Sequence, residues 1–499
     1  MILMTRGFTH TYEIEMLARM LFPALSLMPA EALPQLDAAQ DYLLAEMAAD
    51  ATCDDGDWRL MVTLRRGGSL YTGEEASKPD ISEKERVVAL ARVLYGTALQ
   101  SGCRALRWGI LTGIRPVKLF HSLAAQGLTE QEANAQLCAR YLLTEEMAQL
   151  AQTIRRSEKR INDQSLPMGF SLYISIPFCP QRCSYCSFVS QSVDRMRPLV
   201  APYVEQLCAE IAEIGQIAKR LGLTLQTIYF GGGTPTTLSA EQLTKIFLQI
   251  DNAFDRSNLL EYTVEAGRPD TIDRERLLAL KAAGVTRLSV NPQTMNDDVL
   301  SAVGRKHTAG QVVEAFALSR EIGFESINMD LIAGLPGDTP ESFENSLKKV
   351  LALNPDNITV HTLTLKRASA LSEDPAAVAE QYARHAQVAQ MVDTARRLIC
   401  AAGYAPYYLY RQKNAVGSLD NTGYAKPGKE GLYNVFIMDE THTILAAGAG
   451  AVTKLRAPYG EAIERIYNFK YPAEYLSRYE ILSNRKERVK QFYENHQQG

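Results

Sequence analysis

The 499-residue sequence predicts an α/β fold: a partial (β/α)6 barrel with an N-terminal α+β domain and a C-terminal helical/mixed extension. Three observations carry that expectation. Pro167-Met168-Gly169 breaks the chain after a long helical stretch, and the sequence changes character there. Beyond the break, six short β-branched or aromatic runs alternate with amphipathic helical segments, an order that yields a parallel sheet. Six strands fall short of the eight that close a TIM barrel, so the expected sheet is an open, three-quarter barrel.

The first block spans residues 1–165. In it, WRLMVTLRRGGSLYTGE (58–74) reads as two strands joined at Gly67-Gly68, a hairpin signal. A helical pattern starts at Ser82, and 129–160 is a long, charged, Leu/Ala-rich helical stretch. The barrel is assigned to 166–370. Its strands are SLYISI (171–176), TIYFGG (227–232), YTVEA (262–266), RLSVN (287–291), SINMDLI (326–332) and NITVHTL (357–363). The helical segments VEQLCAEIAEIGQIAKRLG and RERLLALKAAG each end at a glycine just before the next strand, as C-caps do. The extension, 371–499, begins with a long helix expected from about Ala370 through Arg397. It continues into the Tyr/Gly-rich pieces GYAPYYLYRQKN, NTGYAKPGKEGLYNVF and ILAAGAGAV.

Composition narrows the class. Hydrophobic residues at 46% and charged residues at 22% are enough for a sizeable buried core. A net charge of −4 gives no basic field for nucleic acid or an anionic membrane. No apolar run reaches the ~20 residues of a membrane span. The start MILMTRGFTHTYEIEML lacks the order of a secretory signal. The expectation is a cytoplasmic protein, and a monomer, since no heptads or self-complementary apolar stripe is visible. The eight cysteines are too sparse for a disulfide framework. Cys53, Cys103, Cys138, Cys208 and Cys400 are scattered and read as small buried residues. The other three fall within eight positions and need another account.

Cys179, Cys183 and Cys186 lie in PFCPQRCSYCSF, directly after the first expected barrel strand. They therefore sit at the strand's C-terminal end, where barrels of this kind carry their chemistry. Thiolates ligate iron–sulfur clusters. The spacing C-x3-C-x2-C can hold three irons of a cubane and leave the fourth open to a substrate or cofactor. A structural zinc site asks for four protein ligands, and no fourth Cys or His follows nearby.

The pattern C-x3-C-x-aromatic-C resembles the signature of radical S-adenosylmethionine (SAM) enzymes. The resemblance implies a [4Fe-4S] cluster whose open iron is chelated by the methionyl amino and carboxylate groups of SAM. Reduction then cleaves the sulfonium and gives a 5′-deoxyadenosyl radical that takes hydrogen from substrate. On this reading Tyr185 belongs to the cofactor site, and contacts are expected at the ends of successive strands. Gly232, Gly233 and Thr234 end the second, with glycines that permit close backbone approach. Glu265 ends the third and suits ribose hydroxyls, Gln293 follows the fourth, Arg305 could meet a carboxylate, and Asp330 lies on the fifth. Tyr173 matches a family tyrosine near the cofactor. The resemblance gives Tyr173 and Arg305 catalytic roles as well as cofactor contacts. His307 is a further proton-donor or haem-ligand candidate, beside the ordinary reading of a structural histidine.

The wider run SLYISIPFC…YCSF looks like the oxygen-independent coproporphyrinogen III dehydrogenases and their haem-handling relatives. The N-terminal piece LTGIRPVKL (111–119) looks like the HemZ type. The implied reaction is oxidative decarboxylation of coproporphyrinogen III propionates to vinyls, giving protoporphyrinogen IX, with a low-potential donor such as flavodoxin or ferredoxin. Two positions depart from the better-known dehydrogenases: Phe188 stands in place of a fourth cysteine, and Ser175 in place of a histidine. Phenylalanine at that place is shared with haem chaperones and haem-degrading relatives. Two alternatives therefore stay open: a haem-binding chaperone, and a radical SAM haem-opening methyltransferase.

Overall fold

A computed structural model describes every residue except 23, 38, 50–56, 114, 189, 365–368, 375–379, 381–382, 413–418 and 497–499; the expectation for Cys53 lies outside the described residues. The chain divides into two compact units. One comprises Met1–Arg155 with Tyr410–Asp420, the other Arg156–Leu409 with Asn421–Gly499.

The first unit holds β1 (Ile2–Arg6), α1 (Tyr12–Leu21), β2 (Ser26–Leu27), β3 (Tyr42–Ala49), β4 (Trp58–Arg66), β5 (Ser69–Ser77), α2 (Glu83–Gln100), α3 (Val117–Ala125), α4 (Glu130–Tyr141) and most of α5 (Glu145–Asn162). Its sheet runs β2-β1-β3-β4-β5. The hairpin expected at Gly67-Gly68 joins β4 to β5, with Arg66 opposite Ser69. Leu43, Leu60, Val62 and Leu64 of this sheet pack with Leu90 and Leu94 of α2 and Ile14 and Leu17 of α1. The stretch at 129–160 is two helices. Leu142 adopts a left-handed conformation (φ 58°) that stops α4, and α5 starts afresh at Glu145. A piece of the C-terminal region belongs to this unit: Arg411 Nη1 donates to Leu111 O (2.5 Å) and Trp108 Nε1 donates to Asp420 Oδ1 (3.2 Å).

The second unit starts with β6 (Gly169–Ile176), the short pair β7 (Phe178–Cys179) and β8 (Gln191–Ser192), and α6 (Val193–Leu221). It continues with β9 (Thr224–Gly232), α7 (Ala240–Ala253), β10 (Glu261–Glu265), α8 (Arg274–Ala282), β11 (Arg287–Ser289), α9 (Asp297–Ala302), α10 (Ala309–Ile322), β12 (Ser326–Ala333), α11 (Pro340–Leu353) and β13 (Asn357–Thr362). Every expected barrel strand is present, and β6, β9, β10, β11, β12 and β13 pair in that order, all parallel. One face of the sheet is a fully buried apolar layer, with Ile174 and Ile176, Ile228 and Phe230, and Met329 and Leu331 on it, while the alternate residues Tyr173, Tyr229 and Asp330 point to the other face.

The extension adds strands to both edges of this sheet. The first residues of the expected helix form the 3-10 turn Ala370–Glu373, residues 375–379 and 381–382 of it lie outside the described residues, and its later part is α12 (His385–Ala401), which leads to β14 (Ala405–Arg411) and β15 (Asp420–Ala425). Next come α13 (Leu432–Met438), β16 (Thr443–Ala447), β17 (Val452–Arg456), β18 (Ile463–Tyr467), α14 (Pro472–Ser477) and α15 (Tyr479–His496). β15 pairs antiparallel with β13, and β16 pairs parallel with β6. The order β14-β15-β13-β12-β11-β10-β9-β6-β16-β17-β18 is open, as expected. No helix among the described residues is long and apolar enough to cross a membrane.

Candidate functional site

Pro177 ends β6, and the chain turns at once into the cysteine loop. The loop is held against the end of β9, where Gly233 N donates to Ile176 O and Thr234 N to Phe178 O, both at 2.7 Å. This approach is why glycines stand here: a Cβ on Gly233 would lie 2.5 Å from Phe178 O, and one on Gly232 (φ 100°) 2.9 Å from Ser175 Oγ. The N–H groups of Gly233 and Thr234 are thus spent on the loop, so a ligand amino group would meet carbonyl oxygens at this edge.

The loop brings the three cysteines together. Burial pushes up the thiols of Cys179 and Cys186, and each also feels the charge of Cys183. Thr234 Oγ1 donates to Cys179 Sγ at 3.5 Å, and Arg268 Nη1 faces Cys183 Sγ at 3.9 Å. Cys186 N closes a turn onto Cys183 O at 3.1 Å. Three cysteines on one short loop, with donors aimed at two of the sulfurs, suit a cluster held by thiolates. Such a cluster would be held by Cys179, Cys183 and Cys186.

Tyr185, between the second and third cysteines, accepts from Arg305 Nη1 at 2.9 Å. The remaining edge of this buried guanidinium donates to Gly267 O (3.1 Å) and Asn291 O (3.2 Å). Arg305 therefore ties the loop to the ends of two strands, with its donors already engaged. His307 lies beside it, Arg305 Nε to His307 Nδ1 at 3.5 Å. Burial and the two guanidiniums of Arg305 and Arg268 hold the imidazole down to about 4, so it is neutral at pH 7.

A second polar group spans the strands. Tyr173 (β6) stacks with Tyr229 (β9) and with Tyr433 (α13), ring centroids 6.2 and 6.3 Å apart, and Tyr229 and Tyr433 stack at 4.4 Å. Tyr229 donates its hydroxyl proton to Glu265. Burial raises the Glu265 carboxyl to about 7; the Tyr229 hydrogen bond lowers it, and Asp330 adds to the rise. Burial also pushes Asp330 up, but hydrogen bonds from His361, Asn328 and Thr359 outweigh it and hold this carboxyl below its ordinary value. Asn328 Nδ2 donates to Asp330 Oδ1 at 2.7 Å, and His361 Nε2 lies 3.7 Å from Asp330 Oδ2. Gln293 joins through its backbone: its N donates to Asp330 O and its O accepts from Ile332 N, both at 2.9 Å. Its φ of 66° is costly for a residue with a side chain, and its buried Oε1 has no partner among the described residues.

Each expected site residue thus falls in one of two groups: Cys179, Cys183, Cys186, Tyr185, Gly232, Gly233, Thr234, Arg305 and His307 around the loop, and Tyr173, Glu265, Gln293 and Asp330 inside the sheet. The two departures differ in environment. Phe188 is 63% exposed, whereas Ser175 is buried with its Oγ donating to Ala449 O at 2.7 Å. Sequence reasoning missed Tyr229, Arg268, His361 and Tyr433. Tyr229 stands in the quoted TIYFGG run and could have been found by its alternation with Gly231; the others carry no local signal.

Comparison with known proteins bears on the family of the chain. Residues 173–350 match the Radical SAM superfamily. In solved structures, the chain resembles coproporphyrinogen III oxidase (HemN) from Escherichia coli, a radical SAM enzyme, with a TM-score of 0.50 and 24% identity over 65% of this chain and 72% of that one, a likeness of fold. The heme chaperone HemW of Bacillus subtilis is 43% identical over 202 residues, 39% of this chain and 51% of the relative. The oxygen-independent coproporphyrinogen-III oxidase-like protein HemZ of Bacillus subtilis is 39% identical over 420 residues, 82% of each chain. Likeness of that depth and span means that this chain belongs to the HemZ family of oxygen-independent coproporphyrinogen-III oxidase-like proteins, within the radical SAM superfamily.

Proposed function

We propose that the protein is a radical SAM oxidoreductase of tetrapyrrole metabolism acting on coproporphyrinogen III. Each propionate side chain would lose a hydrogen atom from its β-carbon, carbon dioxide and one electron, leaving a vinyl; two such events give protoporphyrinogen IX. The observation that carries this reading is the meeting of Cys179, Cys183 and Cys186 at the C-terminal end of β6, next to a polar group drawn from β6, β9, β10, β12 and β13.

When bound and reduced, the cluster and SAM would supply the hydrogen-abstracting radical. The chain's own residues would do the rest. The three cysteines would give thiolates to three irons and leave one corner free. The Gly232–Thr234 edge and the Gln293 side chain would orient SAM: the first offers carbonyl oxygens, the second an amide oxygen with no other partner among the described residues. Glu265, protonated up to about pH 7, could donate a hydrogen bond as well as accept one. A low-potential flavodoxin or ferredoxin would supply the electron in the cytoplasm.

A haem chaperone is the second reading. It is favoured by the HemW likeness and by exposed Phe188 at the place of the dehydrogenases' extra cysteine. The HemW matches span 39–61% of the chain and the HemZ match 82%, which supports the HemZ-type reading. Anaerobic incubation of the reconstituted protein with SAM and reductant, in parallel with coproporphyrinogen III and with haem, read by mass, separates them. Loss of carbon dioxide supports the proposal; unchanged porphyrinogen with a stable, intact haem complex supports the chaperone, and a linear tetrapyrrole from haem the methyltransferase.

A further inference from the structure

We infer that Arg268 is a positioning residue for the cluster, an N–H donor to the Cys183 sulfur that raises the cluster's reduction potential. The inference rests on the cluster reading above and deepens it. Arg268 stands just past β10, in the turn EAGRPD, and is 4% exposed. A buried guanidinium is costly unless it is paired and hydrogen-bonded. Asp270 provides that: Nε meets Oδ1 and Nη2 meets Oδ2, each at 3.0 Å, a planar two-point clamp. The clamp fixes the plane of the guanidinium and leaves Nη1, which faces Cys183 Sγ at 3.9 Å and Gln181 O at 3.5 Å. The backbone is pinned too, since Arg268 O accepts from Thr271 Oγ1 at 2.9 Å. Arg305, a second guanidinium whose charge reaches Cys183, has its donors on Tyr185, Gly267 and Asn291.

The consequence follows from charge. Reduction adds one electron to a group already carrying three thiolates, so a donor or cation at a ligand sulfur favours the reduced form and raises the potential. No bond in Arg268 forms or breaks. Asp270 has the opposite sign: it aims the guanidinium but cancels part of its charge, so the pair raises the potential less than an uncompensated arginine would. The two partners should therefore move the potential in opposite directions, which a merely structural ion pair would not do.

The test uses the full-length protein, reconstituted anaerobically as wild type, Arg268→Met, Arg268→Lys and Asp270→Asn. Iron and sulfide content is measured first, then the midpoint potential by redox titration followed by electron paramagnetic resonance. The inference expects full iron in all four, a lower midpoint in Arg268→Met, a smaller fall in Arg268→Lys and a higher midpoint in Asp270→Asn. Equal midpoints at full iron overturn it and leave the cluster reading standing. A fall in Asp270→Asn overturns it, as does iron loss in Arg268→Met restored in Arg268→Lys, since Arg268 would then only hold the loop. Wild-type protein that takes up no cluster would sink the cluster reading itself.

Discussion

At the scale of single residues, Glu265 and Gln293 carry the clearest signs of a site that works against stability. The Glu265 carboxyl is raised from 4.5 to about 7, chiefly by burial. Between those values the folded protein keeps a proton that the unfolded chain has lost. This contribution is complete below pH 4.5, declines as pH rises towards 7, and is flat above that. Glu265→Gln should remove it: the difference in unfolding free energy between wild type and variant should change by ~3 kcal/mol between pH 4.5 and 7.5, with wild type the one that weakens. Parallel urea titrations at those pH values check it, and parallel curves would refute the assignment. Gln293 adds backbone strain to an unpartnered buried acceptor. Gln293→Gly relieves the positive φ, so the thermal midpoint should hold or rise, by up to ~1 kcal/mol of stability. SAM binding by calorimetry should weaken several-fold. A less stable variant that binds SAM normally would make Gln293 a structural residue.

At the scale of elements, the joint between β6 and β9 decides whether the cysteine loop is presented at all. Gly233→Ala sets a methyl 2.5 Å from Phe178 O and 2.9 Å from Ile176 O, two backbone atoms that cannot swing away. Overpacking of this kind costs ~2 kcal/mol, and because the displaced atoms belong to the loop, iron content after reconstitution should fall with it. At Gly231 the same methyl meets only side-chain atoms at 3.1–3.4 Å, from Tyr229, Tyr173 and Glu265. Gly231→Ala should therefore keep its iron and lose SAM affinity instead. Iron assay and calorimetry on the two variants side by side test the contrast, and equal iron loss in both would contradict it. Much of this scale was legible beforehand. The six barrel strands are apolar runs closed by turn residues, and the loop and the Gly232–Thr234 edge are contiguous motifs. What escaped notice lacks a local cause. The split at Leu142 uses a left-handed leucine, which sequence gives no reason to expect, and Arg268, His361 and Tyr433 gain partners only through sheet order and α13 packing. Arg305 was recognised as a cation, but its engaged donors on Tyr185, Gly267 and Asn291 are facts of assembly.

At the scale of the whole molecule, the end of the chain is tied to its cysteine loop through one buried carboxylate. Glu210 on α6 is fully buried and takes four donors: Lys486 Nζ of α15 (2.5 Å), Asn468 Nδ2 (2.9 Å), Tyr475 OH of α14 (2.6 Å) and Gly448 N (2.8 Å). Next to Gly448, Ala449 N donates to Tyr203 OH (2.9 Å), and that hydroxyl donates to Ser175 O (2.7 Å). Ser175 in turn donates to Ala449 O and stands two residues before the loop's proline. Ser175 is thus part of the scaffold that holds β6, the strand that leads into the cysteine loop, and the C-terminal helices are its outer anchor. Lys486→Met leaves Glu210 charged, buried and without its cation, at a cost of ~3 kcal/mol. Replacing both partners, Lys486→Met with Glu210→Gln, removes the charge along with its counter-charge and keeps an acceptor for Gly448 N, so it should recover most of that loss. Urea unfolding followed by circular dichroism gives the energies, and iron content after reconstitution shows whether the strain reaches the loop. The expected order of iron retention is wild type, double variant, then Lys486→Met; a double variant that is no more stable than Lys486→Met would mean that the lysine acts by packing alone and that no charge links the chain's end to its cysteines.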